Sequence, residues 1–244
     1  MKIFICEYIT GGGLYRAPLP DGLVREGALM RDALLRDLRD IPGLSLSVTF
    51  DARLPKPELD IDAIAIHPHE DIDAVWDTAI QKADAVWLIA PETGGVLSRL
   101  SARVLALGRK LIGSAPVIVD LMADKYQTFQ TLATAHVPAI PTYRRATWPR
   151  AREGAWVVKP DDGVGCEDVR YLPTTASLQA WLPQQHGERW IIQPYVEGIA
   201  ASLSMLCHAG RGWLLSCNRQ GVTIEDGDFR FSGCAVNALA DRRE

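Results

Sequence analysis

No stretch of this sequence is apolar for long enough to span a bilayer, which takes about 20 consecutive apolar residues. The first residues, Met1 to Gly13, hold only a short apolar run that contains Glu7. A secretory leader needs a longer apolar region and a small-residue cleavage site, so none is expected. A basic excess is missing too. The 26 Lys and Arg face 30 Asp and Glu, a formal net charge of -4, which argues against a generic nucleic-acid binder. It leaves room for a phosphate-bearing ligand held by one or two lysines. Cysteine pairs are also lacking. Cys6, Cys166, Cys207, Cys217 and Cys234 are odd in number, include no C-x-x-C and fit no zinc spacing. Reduced, mostly buried thiols in a cytoplasmic protein are expected. There is no G-x-G-x-x-G after the first strand, no Walker A loop and no Ser or Cys nucleophile motif.

What is present is an alternation of strand-like and helix-like segments. Ile3–Tyr8, Leu44–Phe50, Asp62–Ile66, Ala85–Ala90 and Lys110–Gly113 read as strands, and Asp21–Leu38, Ile72–Lys82 and Val96–Leu107 as helices. Such alternation implies a parallel sheet covered by helices on both faces. A Rossmann-like domain over residues 1–114 is expected. Pro116 starts a different pattern: helices at Val117–Met122 and Lys125–Ala135, strands at Trp156–Lys159 and Val169–Leu172, a helix at Ser177–Gln184, then a strand at Trp190–Val196. Separate strands follow at Ser202–Cys207 and Gly212–Cys217. Glu225-Asp226-Gly227-Asp228 is a hairpin signal between Val222–Ile224 and Phe229–Phe231. The second half therefore reads as α+β with antiparallel strands, a leading portion at 115–192 and a further one at 193–244.

Three short segments carry chemistry. In Trp156-Val157-Val158-Lys159-Pro160-Asp161-Asp162-Gly163-Val164-Gly165, a strand delivers a lysine to the sheet rim, and a Gly-x-Gly loop lets backbone N–H groups approach phosphate oxygens. The alternative is an ordinary turn with a solvated lysine. Asp124-Lys125 opens a helix, where the dipole favours anions and a lysine is out of place unless an anionic partner is near. An exposed helical lysine is the alternative. In Ile191-Ile192-Gln193-Pro194-Tyr195-Val196-Glu197-Gly198, a strand runs into proline and leaves backbone groups free for the edge of a base, with Tyr195 and Val196 as an apolar wall. A plain strand with a bulge at Pro194 would look the same.

In this order, and with Ala201-Ser202-Leu203-Ser204-Met205 following, the segments resemble the ATP-grasp superfamily over residues 113–220. The resemblance implies that Lys125 and Lys159 hold ATP phosphates, that Gly163, Val164 and Gly165 close over them, and that Gln193, Pro194, Tyr195 and Val196 form the adenine hinge. The N-terminal segments Glu7-Tyr8-Ile9-Thr10-Gly11-Gly12-Gly13, Glu26-Gly27 and Ala90-Pro91-Glu92-Thr93-Gly94-Gly95 are similar to the tyramine–glutamate ligase group of methanofuran biosynthesis. Glu7, Gly11, Gly12, Glu92, Thr93 and Gln220 are then candidates for substrate contact. They include rim positions of an open sheet, where such folds bind ligands, and Glu92 could equally cap the helix at 96–107. Asn218 and Arg219, in a segment resembling the strand end that faces the γ-phosphate, are candidate catalytic residues. Arg219 could instead be a surface ion-pair partner.

The implied reaction joins a small-molecule carboxylate to an amine through an acyl phosphate, with ATP and Mg2+ as cofactors and no nucleic acid or membrane partner. Glutamate and a tyramine- or tyrosine-like amine are the implied substrates, and a homodimer is an assembly to consider. The alternatives are a D-alanine–D-alanine-like or other amino-acid ligase, or a nucleotide-binding remnant without catalysis. The sequence departs from the pattern where an E-x-N metal segment is expected after the hinge; it ends at Ala240-Asp241-Arg242-Arg243-Glu244. No metal ligand is assigned, and the ATP-grasp region is expected to be truncated at its C-terminus. Asp226, Asp228, Asn237 and Asp241 are the residues to weigh for that role.

Overall fold

The computed structural model describes residues 1–185 and 189–239. It divides into two compact units, Met1–Ala123 and Asp124–Glu244.

The first unit is a five-stranded parallel sheet. Its strands are β1 (Lys2–Glu7), β2 (Ser45–Asp51), β3 (Asp62–Ile66), β4 (Ala85–Ile89) and β5 (Lys110–Ile112), in the spatial order β3-β2-β1-β4-β5. Central β1 shows why a run without polar alternation can be a strand. Side chains alternate between faces, and both faces are covered. Ile3 and Ile5 pack with Leu35 of α1 (Asp21–Arg39) and with Leu46 and Val48. Phe4 and Cys6 pack with Trp76 and Ile80 of α2 (Ile72–Gln81) and with Leu100 and Val104 of α3 (Val96–Ala106). Each fully buried side chain of this size contributes about 1.5–3 kcal/mol. Asp71 caps α2 by accepting from the N–H of Asp73 at 3.0 Å. Arg103 of α3 bonds Asp77 at 2.5 Å and also pairs with Asp73, tying α3 to α2. Burial, and then the adjacent Glu7, push the Cys6 thiol up to about 12, which favours the protonated form. All five cysteines are free. Helix α4 (Pro116–Ala123) closes the unit.

The second unit opens with α5 (Lys125–Thr134) and then builds a six-stranded sheet in the order β8-β6-β7-β11-β10-β9. Strands β6 (Trp156–Pro160), β7 (Arg170–Leu172) and β8 (Trp190–Pro194) pack on α6 (Thr175–Trp181). The core is Trp148, Trp156, Val158, Leu172, Leu178, Leu182 and Ile192. Trp156 donates its indole N–H to Thr175 Oγ1 at 3.1 Å, so its burial leaves no orphaned donor. Helix α6 is shorter than Ser177–Gln184 suggested and starts earlier. Thr174 and Ser177 make a capping box at its start, and Pro183 turns its end into a 3-10 turn, Leu182–Gln184.

The meander β9 (Ala201–His208), β10 (Arg211–Glu225) and β11 (Asp228–Ala235) corrects another expectation. Gly212–Cys217 and Val222–Ile224 are one strand, because Asn218, Arg219 and Gln220 keep pairing with β9 or β11 and a bulge at Gly221 and Val222 absorbs the irregularity. Asp228 is not a freely solvated turn residue. It is half-buried and pairs with Arg170 at 3.3 Å, while Tyr171 N–H donates to Gly227 O at 2.7 Å. The hairpin tip is thereby fastened to the strand that leaves the glycine loop. Asp241 lies outside the described residues. Among those described, no helix is long and apolar enough to cross a membrane.

Candidate functional site

Strand alternation in β6 sends Trp156 and Val158 into the core, and Val157 and Lys159 to the other face. That face is the floor of a cleft of about 370 Å3 within the second unit. All nine residues expected to bind nucleotide line it. Lys125 and Lys159 stand together at one end. Gly163, Val164 and Gly165 cover that end, with Gly165 in the left-handed region at φ 63°. Gln193, Pro194, Tyr195 and Val196 line the cleft from β8 onward. Ile140, Cys166, Glu167, Val169 and Phe229 are among the other lining residues, and no functional role was read for them in the sequence.

The hinge segment is open for a definite reason. Tyr195 N–H donates to Ala155 O at 2.9 Å, and Ile192 exchanges both backbone bonds with Tyr143 at 2.9 Å on the other side of β8. Antiparallel alternation then turns Pro194 to the same outer side as Ile192, opposite Pro141. Neither proline has an N–H, so the pairing cannot continue and the Pro194 carbonyl faces outward. The Gln193 amide is also fixed: its Nε2 donates to Thr142 Oγ1 at 2.8 Å, and Thr142 donates to Ile140 O at 3.0 Å.

The two lysines differ. Among the described residues, no hydrogen bond or ion pair reaches Lys159 Nζ. Burial, and then the charge of Lys125, hold its pKa below the ordinary lysine value. A desolvated, unpaired ammonium beside a second ammonium is an anion socket. Lys125 is occupied: its Nζ donates to Asp161 O at 2.9 Å and to Gly163 O at 2.6 Å. Burial lowers its pKa, and Asp161, Asp162 and Asp124 partly oppose the shift. The start of α5 is likewise not a vacant anion site. Lys125 N–H donates to Asp161 O at 3.2 Å, Tyr126 N–H to Asp161 Oδ1 at 3.1 Å, and Gln127 N–H to the capping Asp124 at 2.7 Å. The first backbone N–H groups of α5 are thus met by the chain's own oxygens, while the Lys125 side chain lines the cleft.

The remaining candidates lie elsewhere. Glu7, at the end of β1, is 2% exposed, and its carboxylate accepts from Ile9 N–H at 3.0 Å, Thr10 N–H at 2.6 Å and Thr10 Oγ1 at 2.6 Å. It closes the turn Ile9–Gly13 rather than facing a ligand. Gly27 permits this, since a Cβ there would sit 2.7 Å from the Glu7 carboxylate. Gly11 is buried and accepts from the Trp76 indole at 3.3 Å, and Gly12 is buried beside Ile66. Glu92 and Thr93 are exposed, and Glu92 makes no side-chain cap to α3, whose N-cap is Gly95. Asn218, Arg219 and Gln220 sit mid-strand in β10, outside this cleft. Asn218 is buried, donating to Ser204 Oγ at 3.1 Å and accepting from Asn237 N–H at 3.0 Å; Arg219 is exposed. Among the described residues, no group of three or more His, Cys, Asp or Glu could hold a metal ion.

The pre ATP-grasp 3 domain family matches residues 44–119, and the ATP-grasp domain family matches residues 122–244. The chain belongs to the ATP-grasp family. The cleft lies inside the ATP-grasp match, and the parallel-sheet unit is the pre-ATP-grasp part of the architecture. Solved structures with this fold include a protein assigned to the ATP-grasp superfamily from Archaeoglobus fulgidus, at 20% identity and a TM-score of 0.70 over 99% of this chain and 67% of that one. D-alanine–D-alanine ligase from Bacillus anthracis matches at 12% identity and a TM-score of 0.60, over 98% of this chain and 72% of that one. An L-amino acid ligase from Bacillus licheniformis matches at 15% identity and 0.54, and this chain, of which 90% is covered, spans half of its length. No curated protein matches.

Proposed function

We propose that this chain binds ATP in the cleft of the second unit and uses it in ligation of a carboxylate to an amine. The observation that carries the reading is the convergence of Lys159, Lys125, the glycine loop and the open hinge on one cleft within the ATP-grasp region. The outward Pro194 carbonyl accepts from the amino group of adenine, Val157 and Tyr195 flank the base, and the lysines face the phosphates. A substrate carboxylate then attacks the γ-phosphate in line, giving an acyl phosphate and ADP. The amine attacks the acyl carbon and phosphate leaves. Positioning and charge stabilisation do most of this work, so no side-chain nucleophile is needed.

The finer reading takes glutamate as the acid and a tyramine-like amine as the nucleophile, as in methanofuran-type cofactor synthesis. It is supported by the likeness of the Glu7–Gly13 and Ala90–Gly95 segments to that ligase group. Calorimetric titration with ATP tests the binding, and ADP release with glutamate plus tyramine, against D-alanine alone, tests the chemistry. Absence of ATP binding would sink the reading; turnover with D-alanine but not glutamate would replace the substrates.

A further inference from the structure

The residue that organises the phosphate end of the cleft is not a lysine or a glycine. Asp161 follows β6, is 7% exposed, and touches the start of α5 at three points. Its carbonyl accepts from Lys125 N–H and Nζ, and its Oδ1 accepts from Tyr126 N–H. Its Oδ2 pairs with Arg144 Nη2 at 2.5 Å. Arg144 is held in turn. Its guanidinium lies 4.7 Å from the Tyr126 ring centre and 3.6 Å from Asp124, and its backbone is fixed in a turn with Thr147 and Trp148. The preceding residue, Tyr143, is bonded to the hinge strand at Ile192.

A free lysine side chain has many rotamers open to it, so its usefulness depends on what orders it. Here the carbonyls of Asp161 and Gly163 order Lys125, and Asp161 is in turn placed by Arg144. A nearly buried carboxylate that loses its cation is costly and shifts or recruits another charge. Lys125 is the nearest candidate to be recruited, and its ammonium would then turn from the cleft.

We propose that Arg144 and Asp161 are positioning residues that aim Lys125 at the phosphates of the bound nucleotide. The inference rests on the ATP-binding reading of the cleft. Arg144 removes the competing charge by neutralising Asp161, and this leaves the Lys125 ammonium free to exchange two carbonyls for a phosphate oxygen. The effect is confined to phosphate recognition, because neither residue lines the base end.

The test compares ATP with adenosine, by calorimetric titration or competition, in Arg144→Met, Arg144→Lys and Asp161→Asn. Arg144→Met should weaken ATP by about tenfold, the scale of one charge-assisted hydrogen bond. Adenosine affinity should stay within about twofold, and Arg144→Lys should recover most of the loss. In a Lys125→Met background, Arg144→Met should add less than about twofold, because the lysine it acts through is gone. Asp161→Asn keeps an acceptor for Tyr126 N–H and removes the competing charge itself, so its ATP affinity should stay within about twofold, and Arg144→Met added to it should cost less than about twofold more. An unchanged ratio of ATP to adenosine affinity in Arg144→Met, or a full-sized effect of that substitution in the Lys125→Met or Asp161→Asn background, overturns the proposal while leaving the cleft as an ATP site. Failure of the unaltered chain to bind ATP overturns both.

Discussion

Glu7 and Lys159 occupy comparable places in the two units. Each is a charged residue at or near the end of a strand flanked by neighbours on both sides, in the region where sequence patterns suggest ligand contact. Their surroundings are opposite. Three donors, all within three residues, meet the Glu7 carboxylate, and Gly27 makes room for it. Lys159 has burial and a second positive charge instead of partners. A buried charge with its bonds complete holds local structure, and one kept desolvated and unmet holds a place for a ligand. Position alone does not separate them; the count of satisfied bonds does.

Breaking the first side of that contrast should give the largest effect. Glu7→Ala orphans two backbone donors and a hydroxyl in the interior, and should cost the first unit about 3 kcal/mol or more, read by urea denaturation. ATP affinity, measured in conditions where the variant is folded, should not change. Removing the other charge should invert the pattern. Lys159→Met should weaken ATP binding by about 1.5–3 kcal/mol, and it should raise the stability of the nucleotide-free protein by about 0.5–2 kcal/mol. A variant that loses both affinity and stability would show that Lys159 has a structural partner after all.

A smaller effect is expected at Gly27. Gly27→Ala places a methyl group 2.7 Å from the Glu7 carboxylate, and the overpacking should cost about 1–3 kcal/mol by thermal or urea unfolding. The smallest effect is in pH. The Lys159 pKa is lowered in the folded state, so its burial cost is fully present below that value. As pH rises through it towards the ordinary 10.5, the folded state sheds the proton while the unfolded state keeps it, and stability increases. ATP affinity should fall over the same range, by about twofold where Lys159 is half titrated. Lys159→Arg should flatten that part of the affinity profile, leaving the contribution of Lys125, whose pKa is also lowered.

The change from α/β to α+β character was legible because periodicity and proline placement are local signals, although the first unit runs on through α4 to Ala123 and no separate unit starts at 193. The nine cleft residues were legible for the same reason, each lying in a short segment with a recognisable order. What escaped were side chains that act across long separations. Tyr126 meets Asp161 over 35 residues, Gln193 meets Thr142 over 51, and Phe229 reaches the cleft from another hairpin. Arg144 carries no motif, and only its ion pair with Asp161 reveals it. Asn218, Arg219 and Gln220 were expected at a strand end from the family resemblance alone, but a bulge lets the strand run through. Glu7 was read as ligand-facing because a rim carboxylate looks the same in sequence whether or not its lone pairs are taken. The clue available was Thr10, three residues on, with a hydroxyl able to reach back.

The facing prolines at the hinge have a consequence for how this chain meets its neighbours. Past Ile192 the outer margin of β8 offers a carbonyl but no donor, since neither Pro194 nor Pro141 has an N–H. An incoming strand from another molecule needs both kinds of group in alternation, so it cannot extend the ladder there. A flat base that brings its own amino group needs only the one acceptor. The same two residues that leave the margin open to a small molecule therefore close it to an added strand, and a replacement for Pro141 that bears an N–H would take up the carbonyl that the base needs.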